Sequence, residues 1–153
     1  ISMYNGLLHL HNFLRWVILI LLIIAIIQSF SVRKNTTARA LNKTSLFLLI
    51  AAHIQFLIGL YQWFVGSFGY QLIEANGIGE VMKNSVQRFW AVEHILGMLI
   101  GIILITVARS RVKTGRYSAA SWLYVIALII ILAAVPWPFR EDIARPWFPG
   151  MSR

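Results

Sequence analysis

Four long apolar segments divide the chain, and they cover about residues 7–30, 46–66, 88–108 and 119–136. Their apolar residues form continuous runs instead of alternating with polar ones, which favours helices over the strands of a β-barrel. About 20 apolar helical residues cross the roughly 30 Å hydrocarbon core of a bilayer. The pattern therefore predicts an all-α integral membrane protein with four spans.

The segments between the spans are short. No loop is long enough to hold a soluble domain, so one four-helix bundle over residues 1–153 is the economical fold. Pro136 and Pro138 end the fourth span, because proline lacks an amide donor and clashes with the preceding turn. A Pro/Trp-rich tail follows at 137–153. The apolar run of the first segment is too long for a signal peptide, so we interpret it as a true span.

Composition agrees with a membrane location. Of 153 residues, 59% are hydrophobic and 12% are charged, and the charged share is about half that of a soluble domain. The chain contains no cysteine. An ordinary soluble enzyme, a disulfide-stapled secreted domain and thiolate-held zinc or iron–sulfur sites are therefore excluded.

The basic residues gather in the first and third loops. A net charge of +9 would indicate nucleic-acid binding in a soluble protein. Here the charged residues of the middle loop are only Glu74, Glu80 and Lys83. The positive-inside rule therefore places both basic loops in the cytoplasm and both termini outside. We interpret the charge as setting orientation, without nucleic-acid or specific lipid recognition. The loop cations are Arg33, Lys34, Arg39 and Lys43, then Arg109, Arg111, Lys113 and Arg116.

All four histidines lie within or at the edge of the spans, at His9, His11, His53 and His94. Ionisable groups at such depths usually face the bundle interior and mark function. At 1.5 Å per residue, His11 lies about 8 Å, His94 about 12 Å and His53 about 22 Å below the outer boundary. His9 and His11 point about 200° apart, so a single site is expected to use one of them.

Level histidines on two helices, in an apolar bundle without thiolates, favour a haem held between helices by two imidazoles. Gly97 and Gly101 follow His94 on the same helical face and would leave room for a flat ring. Arg15 would neutralise a haem propionate or pair with Glu93.

Each of these features has an alternative. Gly97 and Gly101 also form a GxxxG helix-packing motif. An Arg15–Glu93 pair could be purely structural. His94 and Met98, four residues apart, could bind copper together with His9 or His11. A scaffold without any cofactor is the remaining alternative.

Three segments resemble a known family. They are HLHNFLRW at 9–16, AHIQFLIGL at 52–60 and WAVEHILGM at 90–98, and the ending PWPFR with RPWFPGM is also similar. The resemblance, which extends over essentially the whole chain, is to small four-helix bacterial membrane proteins described as b-type cytochromes or cytochrome b-like proteins.

The resemblance implies membrane electron transfer through haem b, with His11, His53 and His94 as candidate ligands and His9 as an alternative ligand or a supporting group. The better-known four-helix b cytochromes bind two haems, with one histidine pair nearer each face. Here three of the histidines cluster toward the outer side, which favours one haem.

The leading hypothesis is an electron-transfer protein of a bacterial inner membrane, rather than a stand-alone enzyme, linked to the quinone pool or a larger redox complex. Glu93, or a histidine that is not a ligand, would accept a proton if a quinol is oxidised. The alternative is a haem-free accessory subunit of a respiratory or photosynthetic complex that docks through the middle loop and the tail. A copper or proton transporter ranks last, because no column of polar residues crosses the bilayer.

Overall fold

The computed structural model describes residues 2–32 and 34–151, which are 80% helical and contain no strand. The all-α prediction is confirmed. Arg33, counted above among the loop cations, and tail residues 152–153 lie outside the described residues.

Seven α-helices and one π-helical turn follow each other along the described chain. They are α1 (Met3–Phe30), α2 (Asn35–Val65), α3 (Tyr70–Asn76), α4 (Ile78–Lys83), α5 (Ser85–Arg88), the π-helical turn (Phe89–Glu93), α6 (His94–Lys113) and α7 (Tyr117–Ala134). Four helical stretches are long and apolar enough to cross a membrane, as predicted, and they are Met3–Phe30, Asn35–Asn76, Ser85–Lys113 and Tyr117–Ala134.

The second helix begins eleven residues before the apolar segment that predicted it. Its first turns, from Asn35, are polar and hold the cations Arg39 and Lys43. Hydropathy marks only the part of a helix that suits lipid, whereas backbone hydrogen bonding continues the helix into the more polar region beyond it.

The four long helices pack in a ring. α1 packs against α2 and α7, and α6 packs against the same two helices, so α1 and α6 face each other across the interior. One end of the molecule contains the first residues of α1 and α6 and the last residues of α2 and α7, and we call it the histidine end. We call the opposite end, with the connections after α1 and α6, the basic end.

On three of the four long helices the hydrophobic core lies toward the basic end. Counted from the histidine end, its residues begin at Ile18 on α1, Ala52 on α2 and Ile105 on α6, whereas on α7 they continue to Ile131 and Val135 at the histidine end. Large apolar side chains such as Leu57 and Ile129 are exposed on the outside, more than 60% each, as a lipid-facing surface requires. The half nearer the histidine end is therefore less completely filled by the helices.

Candidate functional site

A cavity of about 580 Å³ occupies the interior at the histidine end. Its size falls in the range of about 300–1,000 Å³ that is usual for ligand and cofactor sites. Ile18, Ala52 and Ile105, where the core begins, close it on the inner side. Most of its wall is apolar, and the polar or ionisable side chains in it include His9, His11, Asn12, Arg15, Gln55, Gln62, His94 and Arg145.

His11 and His94 face each other across this cavity. They lie on the opposed helices α1 and α6, and their ring centroids are 6.4 Å apart at an interplanar angle of 64°. Two imidazoles on opposite sides of one metal ion, each with a nitrogen about 2 Å from it, have ring centroids about 6 Å apart. The observed separation therefore matches two imidazoles that share one metal ion between them.

The hydrogen bonding of His94 leaves one of its nitrogens available. Its Nδ1 lies 2.7 Å from the carbonyl oxygen of Ala134, and since a carbonyl only accepts, Nδ1 carries the proton. In the neutral ring Nε2 then keeps its lone pair for a metal. The Ala134 carbonyl is available because its next helical donor would be residue 138, and Pro138 has no N–H.

α2 positions His11. Gln55 donates from Nε2 to the backbone carbonyl of His11 at 2.8 Å. One turn further along α2, a Cβ on Gly59 would lie 3.0 Å from His11 Cε1, so the glycine provides the space that this imidazole ring occupies. Sequence reasoning missed Gly59, although a glycine four residues after an intramembrane glutamine was the available signal.

Buried polar atoms without partners concentrate around this cavity. Among the described residues, six buried side-chain nitrogen or oxygen atoms have no hydrogen-bond partner. Four of the six belong to cavity-lining residues, and they are His11 Nδ1, Arg15 Nε, Gln55 Oε1 and Gln62 Nε2. Since more than about 90% of buried polar groups in native proteins are hydrogen-bonded, these atoms indicate a polar partner within the cavity.

The π-helical turn immediately precedes His94. Each residue added to a helix rotates the residues after it by about 100°, so the wider turn at Phe89–Glu93 sets the face on which His94 lies. Such π-helical insertions occur frequently at functional sites. Hydropathy carries no signal for the turn, and sequence analysis did not predict it.

The tail folds back and forms part of the cavity wall. Arg15 Nη2 donates to the carbonyls of Pro146 at 3.1 Å and Trp147 at 2.8 Å. Trp16 Nε1 also donates to the Trp147 carbonyl, at 2.7 Å. Phe148 and other tail residues line the cavity. These contacts bind the tail to its own chain, which weakens its interpretation as a docking segment for another protein.

Arg15 does not pair with Glu93, which was one of its two possible roles. Glu93 Oε1 accepts from Arg88 Nε at 2.6 Å, and both side chains are partly exposed. The two residues are five apart, a spacing that a π-helical turn brings together. Arg15 is instead bonded to Asn12 and to the tail.

Gly97 and Gly101 lie against α7 and not in the cavity wall. A Cβ on Gly97 would lie 2.7 Å from Ala134 Cβ, and one on Gly101 would lie 2.8 Å from Ile131 Cγ1. This geometry supports the alternative of close helix packing over the prediction that these glycines leave room for a cofactor.

The structure does not bring the other two histidines into the same arrangement. His53 is exposed on α2, away from the cavity, and its Nδ1 bonds the Leu49 carbonyl at 2.8 Å. His9 is exposed and lies at the cavity rim. Within residues 2–32 and 34–151, no group of three or more His, Cys, Asp or Glu is placed to hold a metal ion. Of the predicted ligands, only His11 and His94 form an opposed pair.

The site thus combines two opposed imidazoles with a mostly apolar cavity. The cations Arg15 and Arg145 lie in the part of the cavity nearer the histidine end. It suits a flat, largely apolar molecule that carries a metal at its centre and negative charge at one edge.

Comparison of this chain with models of protein families, with curated proteins and with solved structures found no match.

Proposed function

We propose that this protein binds one haem b between α1 and α6 through His11 and His94 and transfers electrons within a membrane. The main support is the pair of imidazoles, with ring centroids 6.4 Å apart, on either side of an apolar cavity of about 580 Å³. A haem, when bound, supplies reversible one-electron chemistry, and axial imidazoles help to set its potential.

The surrounding residues hold both imidazoles in place. The hydrogen bond from His94 Nδ1 to Ala134 fixes the tautomer and the ring orientation, as the supporting bonds of metal-ligating histidines do. Gln55 and Gly59 fix the position of His11 on the facing helix. With His11 and His94 as its two protein ligands, a haem would supply electron transfer in preference to chemistry on a substrate at the metal.

Charge gives the ligand a preferred direction in the cavity. Arg15 and Arg145 lie toward the histidine end, and Ile18 and Ile105 lie at the inner side. The partnerless Nε–H of Arg15 would donate to a carboxylate. Arg15 and Arg145 would therefore hold the propionates of a haem, and Ile18 and Ile105 would contact its apolar part. We further propose a bacterial inner membrane as the location and the quinone pool or a larger redox complex as the partner.

The test is a reduced-minus-oxidised visible spectrum of the detergent-purified protein, with a pyridine haemochrome assay for the haem content. We expect a b-type α-band and one haem per chain. His11→Ala and His94→Ala should each lose it. His53→Ala and His9→Ala are matched controls and should keep it, and circular dichroism checks that every variant is helical.

Two results would overturn this proposal. If folded His94→Ala retained full haem content, the assigned ligand pair would be wrong. If a folded, haem-supplied wild-type preparation gave a flat spectrum, the haem itself would be excluded. Metal analysis would then test for copper at His94 and Met98, both of which line the cavity, and copurification of a large complex would favour the haem-free accessory subunit.

A further inference from the structure

A second cavity, of about 570 Å³, opens at the basic end of the molecule. It lies where α2 begins, α6 ends and α7 begins. It is far from His11 and His94, so it is separate from the site described above. Its polar lining consists of Asn35, Arg39, Asn42, Lys113 and Tyr117.

The charge around this cavity is positive and is not neutralised by the protein. Neither Arg39 nor Lys113 forms an ion pair within the described ranges. The five acidic residues of the chain all lie at the opposite, histidine end, either between α2 and α6 or after α7. They are Glu74, Glu80, Glu93, Glu141 and Asp142. Among the described residues no carboxylate lies beside these exposed cations, so an anion bound between them would come from outside this part of the chain.

The side chains present hydrogen-bond donors to the cavity. Asn35, Arg39 and Asn42 share one face of α2, at intervals of four and three residues. Arg109 donates to the Asn42 side-chain oxygen and to Ser45 Oγ. The Asn42 oxygen is thereby occupied, and its amide N–H groups remain as donors beside the two cations.

The backbone adds donors of the same kind. α2 and α7 both begin at this cavity, and the side chains of their N-cap residues, Lys34 and Arg116, form no capping hydrogen bond. The first backbone N–H groups of a helix lack intrahelical acceptors and carry partial positive charge. They reinforce the preference for an anion that the cavity and its two cations establish.

Although the loop charge by itself was interpreted as setting orientation without specific lipid recognition, we infer that this basic-end cavity binds the phosphate of an anionic phospholipid headgroup. The cavity lies at the ends of membrane-length helices, at the level where headgroups lie against a bilayer-spanning chain. Basic pockets between transmembrane helices bind such headgroups. Exposed apolar side chains further along the same helices, Leu46 on α2 and Val107 on α6, offer a surface for the acyl chains.

Native mass spectrometry of the purified full chain tests this inference, with phosphatidylglycerol and phosphatidylcholine offered at equal concentration. We expect the wild type to retain phosphatidylglycerol selectively. The double variant Arg39→Gln/Lys113→Gln should lower that selectivity by about thirtyfold. The matched control Lys43→Gln/Arg111→Gln also removes one positive charge from α2 and one from α6, but at residues outside the cavity lining. It should behave as wild type.

Three outcomes would overturn the inference. One is equal retention of both lipids by the wild type. Another is an equal loss in the control variant, since that would make the effect one of overall charge. The third is displacement of phosphatidylglycerol by millimolar inorganic phosphate, because the site would then serve a soluble phosphate compound. Haem content is measured in the same samples, so failure here is distinct from failure of the proposed function.

Discussion

Replacement of Gly97 by alanine tests the contact between α6 and α7. The added Cβ would lie 2.7 Å from Ala134 Cβ, whereas non-bonded carbons prefer about 3.5–4.0 Å. The helices must therefore separate by about 1 Å, and overpacking of this kind costs about 1–3 kcal/mol. Alanine recovers about 0.5–1 kcal/mol through its higher helix propensity. We expect Gly97→Ala to lower the free energy of unfolding by about 1–2 kcal/mol.

The second variant, Gly97→Ala/Ala134→Gly, removes the opposing methyl group. It should recover at least half of the loss, and since the Ala134 carbonyl is kept, the hydrogen bond to His94 remains. Gly6→Ala is the control, because a Cβ there meets nothing within 4 Å, and it should be neutral or slightly stabilising.

Unfolding is followed by helical circular dichroism in mixed micelles with increasing SDS. The reasoning is refuted if Gly97→Ala is as stable as the wild type. The single variant Ala134→Gly completes the comparison. The reasoning is also refuted if the effects of Gly97→Ala and Ala134→Gly simply add in the double variant, since additivity would mean that the two side chains do not interact.

Three further variants test the histidine end. Gly59→Val places atoms where the His11 ring lies, so haem content should fall by more than half while helicity is unchanged, and a full haem complement would contradict the packing described here. Arg15→Gln removes the bonds to the tail carbonyls, so limited proteolysis should cleave the tail faster and stability should fall by about 1–3 kcal/mol; an unaltered cleavage rate would count against that role. Glu93→Gln breaks a partly exposed pair with Arg88 and should change stability by less than about 1 kcal/mol, with haem content unaffected.

Hydropathy alone was sufficient to predict the helical class and the four membrane-length segments, because a 20-residue apolar run has few other stable conformations. It also identified His11 and His94 as level on two helices, since depth along a helix follows from residue number. The orientation in the membrane, inferred from loop charge, stays a prediction.

The tertiary structure alone decided which residues face the cavity. A helix turns by about 100° per residue, and in a segment that is apolar almost all round the sequence does not mark which of its faces points inward. His53 therefore faces outward although its depth allowed a pairing, and Gly97 contacts α7 although its spacing from His94 suggested a shared site.

Contacts between residues far apart in the sequence could not be predicted from the sequence either. Gly59 makes room for a ring 48 positions earlier, and Arg15 binds carbonyls in the tail more than 130 residues later. Hydropathy depends on residues that are adjacent in the sequence, and it determined which segments are long and apolar enough to cross a membrane. The facing of side chains depends on helix rotation, on the π-helical turn before His94 and on packing across the ring, which only the folded molecule specifies.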